Sequence, residues 1–232
     1  MSFWEGQPVN ELVVIVEGET EQAFVRNLLG AHLPLHGTVA WPILPGRRRR
    51  HGGVKKWEVA RQDIIRTLKE GRYCSTMFDY YALPDDWPGK TESCVLEWSQ
   101  RASCVEDAIL TDISREMGGN FNPKHFIPYI QLHEFEALAF ADVESLVSVV
   151  SPLARLPNDV LTDTFGKILK TAGHPEAIND GYDTCPSRRI SGIVPAYKKR
   201  VHGPIVTERI GLDVLRKRCT HFASWLHRLE SI

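Results

Sequence analysis

Residues 11–29, ELVVIVEGETEQAFVRNLL, constrain the fold more than any other stretch of the chain. Residues 12–16 are an apolar run rich in β-branched side chains, which is how a buried strand reads. Glu17 and Gly18 end that run abruptly. From Glu19 onward, Ala23, Phe24, Leu28 and Leu29 fall on one face of a helix. Open α/β sheets carry their sites where the carboxyl ends of strands meet the helices that follow, and Glu17 stands at such a point. Glu19 and Glu21 are accounted for by the favourable field at a helix N-terminus. Glu17 precedes the helix, so that field does not explain it.

The pattern recurs. Residues 72–78, RYCSTMF, read as another buried strand, which leads into Asp79. Residues 126–132, FIPYIQL, predict a further strand, with Pro128 marking an edge or a bulge. It is followed by His133, Glu134, Phe135 and Glu136, and residues 137–140 predict the first turns of a helix. A shorter strand is predicted before Pro42, which should break it into a loop. Helical periodicity predicts a helix over residues 54–70. A longer helix is marked by Val95, Trp98, Ala102, Val105, Ile109 and Ile113 and is ended by Gly118-Gly119-Asn120. Strands that alternate with helices form a largely parallel sheet flanked by helices, with all carboxyl ends on one edge. The acids that end the runs are therefore expected to converge. Beyond Asp142 the patterns are helical, giving a Rossmann-like α/β core over residues 1–142 and a helical appendage over residues 143–232, packed on that core.

The net charge of −1 supplies no global field toward nucleic acid or membrane, so any such affinity must come from local clusters. No apolar run approaches the roughly 18 residues of a membrane span. The first ten residues do not read as a signal peptide. Five scattered cysteines without a CxxC pair predict a reduced, cytoplasmic protein without a zinc knuckle.

Converging carboxylates without cysteine partners suit a hard cation bound through oxygen, Mg²⁺ or Mn²⁺. Such a cation is a common agent of displacement at phosphorus. Basic groups for a phosphodiester are at hand in Arg47, Arg48, Arg49 and Arg50, in Arg188 and Arg189, and in Lys198, which Lys199 and Arg200 follow. Trp98, Phe222 and Trp225 lie on apolar helical faces and read as core.

Glu17-Gly18 after an apolar strand, Thr20-Glu21 at the helix start and a second strand ending in Asp79 together resemble the Toprim (topoisomerase–primase) domain. The spelling EGETE is similar to the branch of the overcoming-lysogenisation-defect nucleases. The stretches VEGETE, FDYYALPDDWPG and QLHEFEALAFAD, with the late PSRRI and CTHFASWL, resemble a bacterial family of small stand-alone Toprim-like proteins. The resemblance spans most of the chain. It implies that Glu17 is a metal ligand or general acid/base, that Asp79 is the first aspartate of the DxD motif and that Glu21 is a further metal ligand. Tyr81 stands where that motif has its second aspartate. Glu136 is the candidate replacement, and Glu134 competes with it. By this resemblance the protein is a metal-dependent nuclease for DNA or RNA, an effector of anti-phage defence, with an ABC-type ATPase as partner. The alternative is a catalytically weak module that docks on a partner ATPase or on nucleic acid.

Overall fold

The computed structural model describes residues 9–46, 56–178 and 184–232. A parallel sheet lies at its centre, in the order β2 (Thr38–Ile43), β1 (Asn10–Val16), β3 (Tyr73–Asp79), β4 (Phe126–Ile127), with β5 (Ile130–Gln131) also paired to β3. β1 is flanked on both sides, and its alternate residues serve opposite faces. Leu12, Val14 and Val16 enter one apolar cluster, and Val13 and Ile15 enter the other. A strand buried on both faces has no polar positions, which is why it reads as a continuous apolar run.

The first cluster lies under α1 (Glu19–Phe24), which continues as a wider turn over Val25–Leu29 and then as the short α2 (Gly30–His32). The second lies under α3 (Trp57–Lys69) and, after the single turn α4 (Lys90–Ser93), under α5 (Trp98–Met117). Helices thus cover both faces, as expected of a parallel sheet. Gly118, at φ 79, ends α5 where the glycine pair predicted a stop.

Several local expectations are corrected. β2 runs through Pro42, which lies opposite Val14. β2 is an edge strand, where a residue without an N–H costs little. The strand over residues 126–132 is split at Pro128 into β4 and β5. The gap is closed by Thr76, whose hydroxyl donates to the Tyr129 carbonyl (3.0 Å) and accepts from the Tyr129 N–H (2.9 Å). Residues 135–141 wind as a 3₁₀ helix. Val95 precedes α5 and is 88% exposed.

The chain beyond Asp142 is helical among its described residues: α6 (Val143–Val150), α7 (Asn158–Ala172), α8 (Pro186–Ile193), α9 (Lys199–Ile210), α10 (Leu212–Arg218) and α11 (Thr220–Glu230). Asp142 caps α6 through the Ser145 N–H (3.1 Å). α9 packs on α1. α11 sends Trp225 to the sheet, where its indole lies on the Tyr129 ring (4.2 Å between centroids, 11° between planes). Its N–H donates to the Ser75 hydroxyl (2.9 Å). Apolar residues of β1 and α11 share one cluster. Among the described residues, no helix is long and apolar enough to cross a membrane.

Candidate functional site

β1 and β3 run side by side, so their carboxyl ends deliver Glu17 and Asp79 together. The Glu17 N–H donates to the Met77 carbonyl (3.1 Å), and a Glu17 carboxylate oxygen accepts the Asp79 N–H (3.1 Å). α1 then turns Glu21 inward, and the Glu21 side chain is buried. A Cβ on Gly18 would stand 3.3 Å from a Glu21 carboxylate oxygen, so glycine lets the backbone pass close to that acid. The 3₁₀ helix after β5 brings in Glu136, which is fully buried.

Lys199, the first residue of α9, reaches into this group. Its ammonium lies 3.1 Å from Asp79 Oδ2 and 3.0 Å from Glu136 Oε2. The Tyr197 hydroxyl stands 3.5 Å from Glu136 Oε1. α9 comes this close because its second turn carries Gly203. A Cβ there would lie 3.3 Å from the Thr20 methyl, 3.4 Å from the Tyr197 hydroxyl and 3.5 Å from Glu136 Oε1. A cavity of about 260 Å³ opens onto the group, lined by Glu17, Gly18, Thr20, Glu21, Lys199 and Arg200.

The acids hold their protons tightly. Burial, reinforced by Asp79 and Glu21, pushes Glu17 up to about 9. Burial and Asp79 push Glu21 up to about 8. Burial raises Glu136 to about 7 although Lys199 stands beside it. Burial also raises Asp79, against the pull of Lys199. Burial disfavours the Lys199 charge, but Asp79 and Glu136 outweigh it and hold the ammonium protonated above its usual range. Two like charges about 4 Å apart repel by about 4 kcal/mol at an effective dielectric near 20, so four ionised carboxylates around one ammonium are short of positive charge.

Other buried acids show what a purely structural role looks like. Glu176 is also fully buried, but it accepts the His221 and Phe222 N–H groups (3.0 Å each) at the start of α11. Glu106 accepts the Ile130 N–H (2.7 Å) and pairs with His221 Nε2 (2.8 Å). Asp79 Oδ1, by contrast, is buried without a full hydrogen bond among the described residues, although the Phe135 N–H still acts on the carboxylate. An oxygen-only donor set with a buried carboxylate oxygen that lacks a full hydrogen bond fits a hard divalent cation. Glu17, Glu21, Asp79 and Glu136 are the residues that would hold it, although no three of them bring carboxylate oxygens within 4.8 Å of one another around Lys199, so they would have to draw together.

Glu134 stands at the edge of this group, near enough for its charge to act on Asp79, Glu136 and Lys199, and its Oε2 accepts the Ser187 N–H (3.1 Å) at the start of α8. Arg188 is exposed on α8, and the Arg189 guanidinium donates to the Thr184 carbonyl (2.6 Å). Lys198 is exposed and its N–H donates to His202 Nδ1 (2.8 Å). Arg47, Arg48, Arg49 and Arg50 lie outside the described residues. Tyr81 is 43% exposed and its ring stacks on His133. Trp98, at the start of α5, is half-buried and packs against the edge of the second apolar cluster, whereas Phe222 and Trp225 are buried.

Sequence reasoning passed over Lys199 and Tyr197. The signal was available: Lys199, Gly203, Val206 and Ile210 share one helical face, which turns Lys199 inward and Lys198 outward. Among the described residues, three possible ligand atoms come within 4.8 Å of one another only at His32, His36 and Glu230. There the Arg216 guanidinium already grips Glu230, in an ion-pair cluster that ties α2 to α11.

The chain belongs to the family described as domain of unknown function DUF4276, whose sequence profile matches residues 16–230. No curated protein matches it. It is similar to two solved structures of the C-terminal region of the OLD protein of Xanthomonas campestris pv. campestris. The one phased with mercury is 15% identical with a TM-score of 0.45, over 99% of this chain and 97% of that one. The one phased with iodine is 14% identical with a TM-score of 0.41, over 99% and 96%.

Proposed function

We propose that this protein is a Mg²⁺- or Mn²⁺-dependent nuclease that hydrolyses phosphodiester bonds of DNA or RNA. One observation carries the reading: buried Glu21, Asp79 and Glu136 and half-buried Glu17 form one group in which, among the described residues, the Lys199 ammonium is the cation that pairs with them. The Toprim-like spelling of the same stretches supports it independently.

Held by Glu17, Glu21, Asp79 and Glu136, a divalent cation would supply Lewis acidity toward the phosphate. The chain's own residues do the rest. Asp79 and Glu136 hold Lys199 between them, so its ammonium stands ready to meet a phosphate oxygen and the charge that develops there. Glu17, fixed through the Asp79 N–H, is the candidate for taking the proton from the attacking water. Hydrolysis forms a phosphorus–oxygen bond to that water and breaks the bond to the leaving sugar oxygen, which ends protonated. The Gly18 turn leaves the backbone low enough for substrate to approach along the 260 Å³ opening.

The motif resemblance extends the proposal to a cytoplasmic anti-phage effector paired with an ABC-type ATPase. A second reading, a docking module without catalysis, is favoured by the same lysine, since Lys199 already pairs with two of the four acids without any metal. Labelled DNA and transfer RNA incubated with Mg²⁺, Mn²⁺ or chelator separate the two. Cleavage that needs metal and is lost in Glu17→Gln is expected. A chain that neither cuts nor binds Mn²⁺ is a docking module.

A further inference from the structure

Along the carboxyl edge of the sheet, β3 lies between β1 and β5. Neighbouring strands are about 4.8 Å apart, so the end of β5 stands roughly 10 Å from the end of β1. There a second cavity, of about 430 Å³, is lined by Tyr81, Leu96, Glu97, Trp98, Arg101 and His133. It adjoins the acids through the chain itself. Tyr81 follows Asp79 by two residues. His133 follows by two the Gln131 that pairs with Asp79. The Tyr81 N–H donates to the His133 carbonyl (3.3 Å).

The cavity walls are flat rings. Tyr81 lies against His133 with centroids 5.3 Å apart and planes at 20°. Trp98 lies 6.3 Å from His133 at 35° and 5.9 Å from His174 at 30°. Tyr81 is 43% exposed, and Trp98, which packs against the second apolar cluster, is only half-buried, so both rings keep surface open to solvent. His133 adopts φ 62, a left-handed conformation that glycine takes without strain and other residues rarely do. Histidine enters this region more readily than most residues, and here it places an imidazole where glycine would offer no side chain. Arg101, anchored through its Nε–H to the Leu96 carbonyl (2.9 Å), brings a guanidinium to the rim.

We propose that this cavity receives one unpaired nucleobase, stacked on Tyr81 and Trp98, of a single strand whose phosphate lies at the acids. The proposal rests on the phosphodiester reading and deepens it by naming the substrate class, single-stranded nucleic acid. Aromatic faces accept any base, because every base has a π-face, so the pocket selects for unpaired strand and not for sequence. A duplex keeps its bases stacked inside and offers none to the pocket.

The test is fluorescence anisotropy of the full chain in chelator, so that nothing is cut. The probes are short labelled single strands of DNA and RNA, the same strands with abasic sites, and a duplex. Intact single strands are expected to bind about ten-fold tighter than abasic ones, the scale of one base stacked on an aromatic ring. Tyr81→Ala and Trp98→Ala each remove about that factor for intact strands and leave abasic binding unchanged. Tyr81→Phe retains it, and thermal melts verify that each variant is folded. Equal affinity for intact and abasic strands overturns the proposal, as does an equal loss on both in the alanine variants or tighter binding of duplex. Cleavage with added Mn²⁺ is measured separately. Base-dependent binding without cleavage sinks the hydrolytic reading and leaves the pocket, whereas cleavage indifferent to bases sinks the pocket alone.

Discussion

Replacing Lys199 with methionine removes the ammonium that touches both Asp79 and Glu136 while keeping most of the side-chain bulk. Removing one partner of a buried ion pair commonly costs about 3–5 kcal/mol, because the other charge is left stranded. Here the carboxylates have an escape, since they can take up protons. At pH 8, holding a proton on a carboxyl whose unfolded pKa is near 4 costs about 5 kcal/mol, at about 1.4 kcal/mol per pH unit. At pH 5.5 the same escape costs about 2 kcal/mol. The sign follows. Without Lys199 the folded-state pKa values of Asp79 and Glu136 rise further above their unfolded values. The folded state then keeps protons that the unfolded state releases, and stability falls as pH rises above about 4. Urea unfolding should therefore show a loss of about 3–5 kcal/mol at pH 8 and about 2 kcal/mol or less at pH 5.5. Mg²⁺ should recover part of the loss at pH 8 by supplying the missing charge. A loss equal at both pH values and indifferent to Mg²⁺ would refute the reasoning, because Lys199 would then be acting as packing alone.

Other consequences are equally direct. Glu17 is pushed up to about 9 from an ordinary value of 4.5, so without metal it costs stability progressively as pH rises from about 5 to about 9. Glu17→Gln should flatten that fall, leaving the variant more stable than the parent near pH 8 in thermal melts with chelator, and a less stable variant there would count against the assignment. Gly203→Val should force α9 away from Thr20, Tyr197 and Glu136, costing about 1–3 kcal/mol in urea unfolding and weakening Mn²⁺ binding together. Glu176→Ala should cost about 1–3 kcal/mol by stranding the His221 and Phe222 N–H groups, with cleavage by the folded fraction unchanged. A selective loss of cleavage there would move Glu176 into the machinery.

The parts of this structure that are legible in sequence are those where one local rule dominates. β1 is buried on both faces, so it reads as an apolar run and Glu17 stands out as the polar residue that ends it; β3 is buried too, though Ser75 and Thr76 interrupt its apolar residues before Asp79. The strand over residues 126–132 is legible only as apolar. Its break at Pro128 depends on the Thr76 hydroxyl, which bonds Tyr129 from 53 positions away in the chain. Pro42 reads as a breaker because sequence does not reveal that β2 is an edge. The 3₁₀ winding of residues 135–141 is hidden by a run of apolar residues that suits an α-helix equally well. Lys199 is the instructive miss. In sequence it is one of three adjacent basic residues, and only the glycine at position 203 and the apolar residues beyond it reveal which one turns inward.

The measurement closest to the central claim is calorimetric titration of the chain with Mn²⁺ at pH 7 in two buffers of different protonation enthalpy. Glu136, Glu21 and Glu17 are pushed up to about 7, 8 and 9, so a cation entering among them must displace protons. Saturable binding whose heat changes with the buffer, and which is lost in Asp79→Asn, is the predicted result. No binding, or binding that releases no protons and survives Asp79→Asn, would contradict the assignment of these acids as a divalent-cation site.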